Sequence, residues 1–341
     1  MKVTQGLQGG EEPIIVDSTH IKTLSRQNLS AQLGYNSQRQ FDTQINLLYL
    51  FSQDKQMPVF YRCVQGSVRE VRSLQFTLQE SGLKSAILAA DKGFYSLNNV
   101  TVLDEDKWQY VLPLRRNSAL CDHSIVNTGD KKGLDGFFIV EKRAIWHKTT
   151  KLAQQDGTFK RVILFLDEFL KVCETSDYLE RINQEKEGYT IDLFHEKQAH
   201  FGTITTLTNT TQLATTPEKI ENMSPQKVFE YLKSRNDIEQ LNDTYKNVLQ
   251  ADKTYMQSEP AMEAWHFINF LAIRAYYKLF AIIAEKKLIS KYSPMDVLLL
   301  LQCKKKVKIN NQRIEAEVPK KVQLILDQIF PKNNEEKKPV T

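Results

Sequence analysis

The sequence predicts an α/β protein in which a β-rich segment interrupts the main sheet and helices close the chain, and three observations predict it. Short apolar runs lead into single aspartates at Asp17 and Asp91, the mark of buried strands with a polar group at one end. Residues at helical spacing, such as Val71, Leu74 and Leu78, lie between those runs. Helical periodicity then fades from about residue 117 to 222 and returns afterwards. With 341 residues, 41% hydrophobic and 26% charged, the chain can bury a sizeable core, which excludes global disorder.

Each element follows from its local pattern. Pro13 leads into Ile14-Ile15-Val16-Asp17, a short buried strand ending on a carboxylate. Residues 44–51 place Ile45, Leu47, Tyr49 and Phe51 on one face, and residues 59–64 form the hairpin partner across a polar turn. Residues 68–79 read as a helix ended by Ser81-Gly82, and 86–90 as an apolar strand running into Asp91. After the Lys92-Gly93 turn come a helix through 100–103 and a strand at 110–114 that ends at Arg115-Arg116. The order βββαβαβ is that of an RNase H-like core. Segments 137–140, 143–147, 162–165, 189–194 and 204–207 read as short strands around a helix at 168–181. This stretch is too long for a loop and is expected to be a mixed, β-rich insertion domain. Helices return at 224–249, 263–288 and 293–302, the last with Ser293-Pro294 as N-cap and first helical residue. A small hairpin is expected at 307–317 and a final helix at 319–330. The expected organisation is therefore 1–116 as the first half of a catalytic core, 117–222 as the insertion, 223–330 as the second half with C-terminal helices, and 331–341 as a charged tail.

Several function classes drop out. The four cysteines lie tens of residues apart with no CxxC pair, which excludes a thiolate zinc site or a disulfide framework. The uninterrupted apolar runs fall short of the ~18–20 residues a bilayer span needs, so a cytoplasmic protein is expected. His195 and His200 are five apart, about 140° around a helix, and cannot share a zinc ion as i,i+4 histidines do. A net charge of +5 permits a polyanionic partner without demanding one.

The carboxylates carry the chemistry. Asp17 and Asp91 end strands that this topology makes neighbours, and together they form a hard, oxygen-rich site suited to Mg²⁺ or Mn²⁺. A third acid is needed to hold two ions ~3.5–4 Å apart for phosphodiester chemistry. Arg235, Glu239 and Lys246 supply it: at 100° per residue they fall within about 40° on one helical face, an acid between two phosphate-binding bases. Ordinary i,i+4 pairing on a solvated helix is the alternative. Trp146, flanked by His147 and Lys148, either stacks on an unpaired base or packs the insertion core.

Taken together, Val-Asp17-Ser-Thr, Asp91-Lys-Gly-Phe-Tyr-Ser, Leu112-Pro-Leu-Arg-Arg-Asn-Ser, Thr208-Asn209 and Arg235-(x3)-Glu239-(x6)-Lys246 resemble the DDE transposases of the IS-four superfamily. The segments Glu263-Ala-Trp-His-Phe-Ile-Asn-Phe, Tyr276-Tyr277 and Lys291-Tyr-Ser-Pro-Met-Asp are similar to that family's C-terminal helices. The resemblance spans about residues 13–330. It implies a metal-dependent enzyme that cuts and joins double-stranded DNA at insertion-sequence ends, with two Mg²⁺ or Mn²⁺ ions on Asp17, Asp91 and Glu239, Asp17 being shared. It also implies that Arg235 and Lys246 hold DNA phosphates within a Tyr-Arg-Glu-Lys signature, through a hairpin intermediate and a dimeric DNA complex. Two departures stand out. The family's tyrosine position holds Leu232, with Tyr231 one residue earlier as the candidate DNA contact. Asp17 follows only sixteen residues, where the family carries an N-terminal DNA-binding region, so a truncated form is expected. The rival readings are another RNase H-like nuclease and a non-catalytic, DNA-binding remnant.

Overall fold

Alternating and doubly apolar runs assemble here into one mixed sheet. The computed structural model describes residues 13–35, 40–67, 73–83, 86–127, 130–153, 159–213, 220–309 and 312–331. The chain opens with β1 (Pro13–Thr23), β2 (Gln32–Tyr35), β3 (Phe41–Ser52) and β4 (Met57–Gln65). Then follow α1 (Leu74–Ser81), β5 (Ile87–Ala90), α2 (Leu97–Glu105) and β6 (Gln109–Pro113). The middle segment holds α3 (Ser124–Asn127), β7 (Gly136–Val140), β8 (Arg143–Ala153), β9 (Phe159–Asp167), α4 (Glu168–Asn183), α5 (Ile191–Lys197) and β10 (Thr203–Thr208). A small pair, β11 (Thr211–Leu213) with β12 (Ile220–Asn222), leads into α6 (Pro225–Lys233) and α7 (Arg235–Asp243). A π-turn (Thr244–Val248) and β13 (Lys253–Thr254) precede α8 (Glu259–Glu285) and α9 (Pro294–Leu301). The hairpin β14 (Lys306–Ile309) and β15 (Gln312–Glu315) and α10 (Lys320–Ile329) complete the described chain.

The large sheet runs β3-β1-β5-β6-β10-β9-β8-β7, and β2 and β4 share the outer edge of β3 end to end. Strands β1, β5 and β6 are parallel, whereas β10 turns the sheet antiparallel from β6 onward. The buried four-residue run of β5 suits this central place, because a parallel strand covered on both faces needs apolar residues at every position. On one face, α1 and α2 bring Leu74, Leu78, Val100 and Leu103 against Ile14, Val16, Leu50 and Leu88. On the other, Leu241, Tyr245, Phe270, Ile273 and Tyr277 cover Ile15, Ile21, Leu47, Tyr49 and Phe51. Farther along that sheet, α6 packs Val228, Phe229, Tyr231 and Leu232 over Ile87, Val111, Ile163 and Phe165. Each such fully buried large side chain contributes about 1.5–3 kcal/mol.

The fold class is the mixed α/β class expected from the sequence, and several elements differ in detail. β1 does not stop at Asp17 but continues through Ser18, Thr19, His20 and Lys22, since its pairing with β3 persists to Lys22 opposite Gln44. Residues 189–194, expected as a strand, start α5 instead, because the Thr190 hydroxyl accepts the Leu193 N–H (3.3 Å) as an N-cap. The expected single helix at 224–249 breaks into α6, α7 and the π-turn. The strands of segment 117–222 extend the core sheet through the β6–β10 pair. Residues 68–72 of the expected first helix, and all of the tail but Pro331, lie outside the described residues. The expectation that no segment could span a bilayer needs correcting: α8, 27 residues long, is long and apolar enough by length and composition. In this fold Phe270, Ile273 and Tyr277 on α8 lie in the core against the sheet.

Candidate active site

The site arises where two parallel strands part. β1 and β5 pair from Pro13–Ile87 to Val16–Ala90, so Asp17 and Asp91 are the next residues on strands about 4.8 Å apart. There β5 ends: Asp91 turns into a short 3₁₀ helix, Lys92–Phe94, and its Oδ1 accepts the Lys92 N–H at 2.6 Å. β1 runs on and regains a parallel partner at Lys22–Lys253 and Thr23–Thr254. Between these two pairings, no described strand covers that edge of β1. A cleft of about 450 Å³ opens beside it, with Asp17, Asp91, Glu239, Asn242, Lys246 and His20 in its wall.

Parity along β1 aims the first acid. Ile15 and Ile21 face the helices of the second core cluster, so Asp17, at the same parity, faces α7. There Asn242 Nδ2 donates to Asp17 Oδ2 at 2.7 Å. Glu239 lies almost one turn before Asn242, and Lys246 about one turn after. The π-turn sets the last of these, for Leu249 N–H reaches back five residues to Thr244 O (3.1 Å), and such widened turns recur at functional sites. Tyr245 anchors it from inside. Its ring is fully buried, lies edge-on to Tyr49 at 5.7 Å, and its hydroxyl bonds His266 Nδ1 at 3.0 Å.

The electrostatics follow from partial burial. Burial pulls the Lys246 ammonium below its ordinary value, while Asp252 and Asp17 push it back up. Burial, then Lys246 and Lys22, lower His20 to about 4 against an opposing push from Asp42. At neutral pH His20 is therefore an uncharged ring. The three acids offer only hard oxygen donors, which fit Mg²⁺ or Mn²⁺. A further oxygen, Asn242 Oδ1, is buried with no hydrogen-bond partner among the described residues. The acids share the cleft wall without converging on a single point. Among the described residues, no three His, Cys, Asp or Glu side chains are close enough to hold one ion between them.

Of the other expected contacts, Tyr231 and Trp146 lie outside this cleft. Arg235 begins α7, but its side chain is outside the described residues. Tyr231 is only 6% exposed, packed in the α6 core cluster with Lys227 over its ring at 5.0 Å. Trp146 lies on β8, five strands from β1 in the sheet order, about 24 Å away at ~4.8 Å per strand. It rests on Val126, Leu164 and Leu166, against Phe137 at 5.1 Å, with Lys131 over the ring at 5.3 Å. His20 and Asn242 were missed by the sequence reading. Asn242 carried a usable signal, for it falls three residues after Glu239 on the stripe already singled out.

A family model described as "Transposase DDE domain" matches residues 8–274, which contain all the cleft residues named above. A solved piggyBac transposase synaptic complex with hairpin DNA is similar at 11% identity and a TM-score of 0.45, over 96% of this chain and 54% of that one. The chain thus spans about half the length of that protein. No curated protein matches the sequence. With more than three quarters of its length covered by the family model, the chain belongs to the transposase DDE domain family.

Proposed function

We propose that this chain is the catalytic core of a DNA transposase, which hydrolyses a phosphodiester at an element end and transfers the freed 3′-OH to target DNA. The observation that carries this reading is the cleft itself, whose wall draws Asp17, Asp91 and the helical pair Glu239 and Lys246 from three separate parts of the chain. Family membership supports it. Asp17, Asp91 and Glu239 would hold two Mg²⁺ or Mn²⁺ ions. When bound, such ions activate the attacking oxygen and stabilise the leaving one. Lys246 neutralises a phosphate oxygen at the rim, and Arg235 serves the same strand from the start of α7. The partner is double-stranded DNA, bound by a dimer at paired ends, in the cytoplasm on the nucleoid.

The test uses the purified chain, a duplex carrying the DNA ends that flank its gene, and a second duplex as target. Strand cutting and joining should require Mg²⁺ or Mn²⁺ and vanish in Asp17→Asn. Cutting without joining would assign the fold to a nuclease. Equal cutting by Asp17→Asn would overturn the site.

A further inference from the structure

We propose that Asn242 is a positioning residue of this cleft: its carboxamide clamps the Asp17 carboxylate through Nδ2 and so holds it in place for a hard divalent cation. The inference rests on the metal site proposed above and adds a residue to it.

The clamp is direct, at 2.7 Å from Asn242 Nδ2 to Asp17 Oδ2. It also fixes which way the amide faces, since turning Oδ1 toward the carboxylate would set two acceptors against each other. Oδ1 therefore points away from Asp17, and it is buried with no hydrogen-bond partner among the described residues. A desolvated acceptor left in that state is unfavourable. The amide is also neutral, so it steadies Asp17 without adding to the repulsion among three carboxylates. Its position completes the argument: three residues after Glu239 and four before Lys246, it ties the helix carrying both to the strand carrying Asp17.

The experiment is Mn²⁺ binding to the full chain without DNA, by calorimetry and by the paramagnetic resonance of the free ion, with melting temperatures measured in parallel. Asn242→Leu keeps the shape and removes both polar ends. Its Mn²⁺ affinity should fall about 10–100-fold, the usual loss when a supporting residue of a metal site is removed, while the metal-free protein melts no lower than wild type. Asn242→Asp, which cannot donate to Asp17 and sets a second carboxylate against it, should melt lower than wild type without the ion and gain more melting temperature from Mn²⁺. Should Asn242→Leu fail to fold, Asn242→Ser carries the same affinity test. Unchanged affinity in Asn242→Leu, with binding lost in Asp17→Asn, would overturn the role of Asn242 and leave the metal site standing. Absence of Mn²⁺ binding in the wild-type chain would overturn both.

Discussion

Two cations are drawn out of water on opposite halves of the sheet, and the protein treats them differently. Arg161, on β9, is 5% exposed, and its guanidinium donates to three oxygens: Nη1 to Met223 O (2.6 Å), Nη2 to Thr210 O (2.8 Å) and Thr210 Oγ1 (3.3 Å). It thereby ties the end of β10 to the start of α6. Nearby, Asn209 caps the β6 edge, accepting from Tyr110 N–H and donating to Trp108 O, each at 2.9 Å. Lys246 is less buried, and the attraction of Asp17 and Asp252 falls short of its desolvation. A cation enclosed by carbonyls holds a fold together. One kept beside a carboxylate at a cleft rim is left half open to whatever enters the cleft.

The sharpest way to break this contrast is through the acids. Asp17→Asn, Asp91→Asn and Glu239→Gln should each slow strand cutting by about 10³-fold or more, some 4 kcal/mol of barrier, without lowering the melting temperature. A loss of activity that tracked a loss of stability would make the cleft structural, like the Arg161 side. The next largest effect belongs to Arg161 itself. Arg161→Met leaves buried carbonyl oxygens without donors and should cost about 3 kcal/mol in urea denaturation, whereas a loss below about 1 kcal/mol would dissolve the distinction.

Acid should act on the two halves unequally. His266, 1% exposed beneath the π-turn, is held by burial at about 4, below the ordinary 6.5. Folding therefore favours its neutral form, so the contribution is complete above pH 6.5 and lost as pH falls toward 4, up to about 3 kcal/mol. Hydrogen exchange at pH 4.5 should loosen α7 and α8 before β9 and β10, and His266→Gln should remove the difference. The smallest effect is expected from Lys246→Met. Its stem packing survives and its desolvation is relieved, so stability should stay within ~0.5 kcal/mol or rise slightly. DNA binding should weaken several-fold, with its salt slope reduced by about 1. A large destabilisation would put Lys246 in the same class as Arg161.

Much of this was legible in the sequence where apolar pattern and chain punctuation agree. β5 and β6 are continuous apolar runs closed by polar turns, and α9 announces itself by its capping box, in which Ser293 Oγ accepts Asp296 N–H at 3.2 Å. The full length of β1 was not legible, since Ser18, Thr19, His20 and Lys22 look like loop residues until β3 pairs beside them. Residues 189–194 misled because Tyr, Ile and Phe favour strands, while the decisive signal was the single Thr190 cap. Asp17, Asp91, Glu239 and Lys246 could be named from spacing and resemblance, and all four line one cleft. The π-turn could not, because a one-residue change of helical pitch leaves no trace in the pattern of apolar positions. Tyr231 was readable after all: Val228, Tyr231 and Leu232 stand at the i, i+3, i+4 spacing of a buried face, and they are buried together.

The interrupted edge of β1 also bears on how the molecule keeps apart from its own copies. Lys22 N–H donates to Asp252 O on that side, so by the two-residue period the amides of Ser18 and His20 point the same way. A long row of such open amides would template another strand and invite aggregation. Here the row is flanked by β5 at one end and β13 at the other, leaving residues 17–21 between them, about 16 Å at ~3.3 Å per residue. That opening admits a phosphate or a solvated ion, and it offers a docking strand only the amides of Ser18 and His20, too few for a long row of pairing.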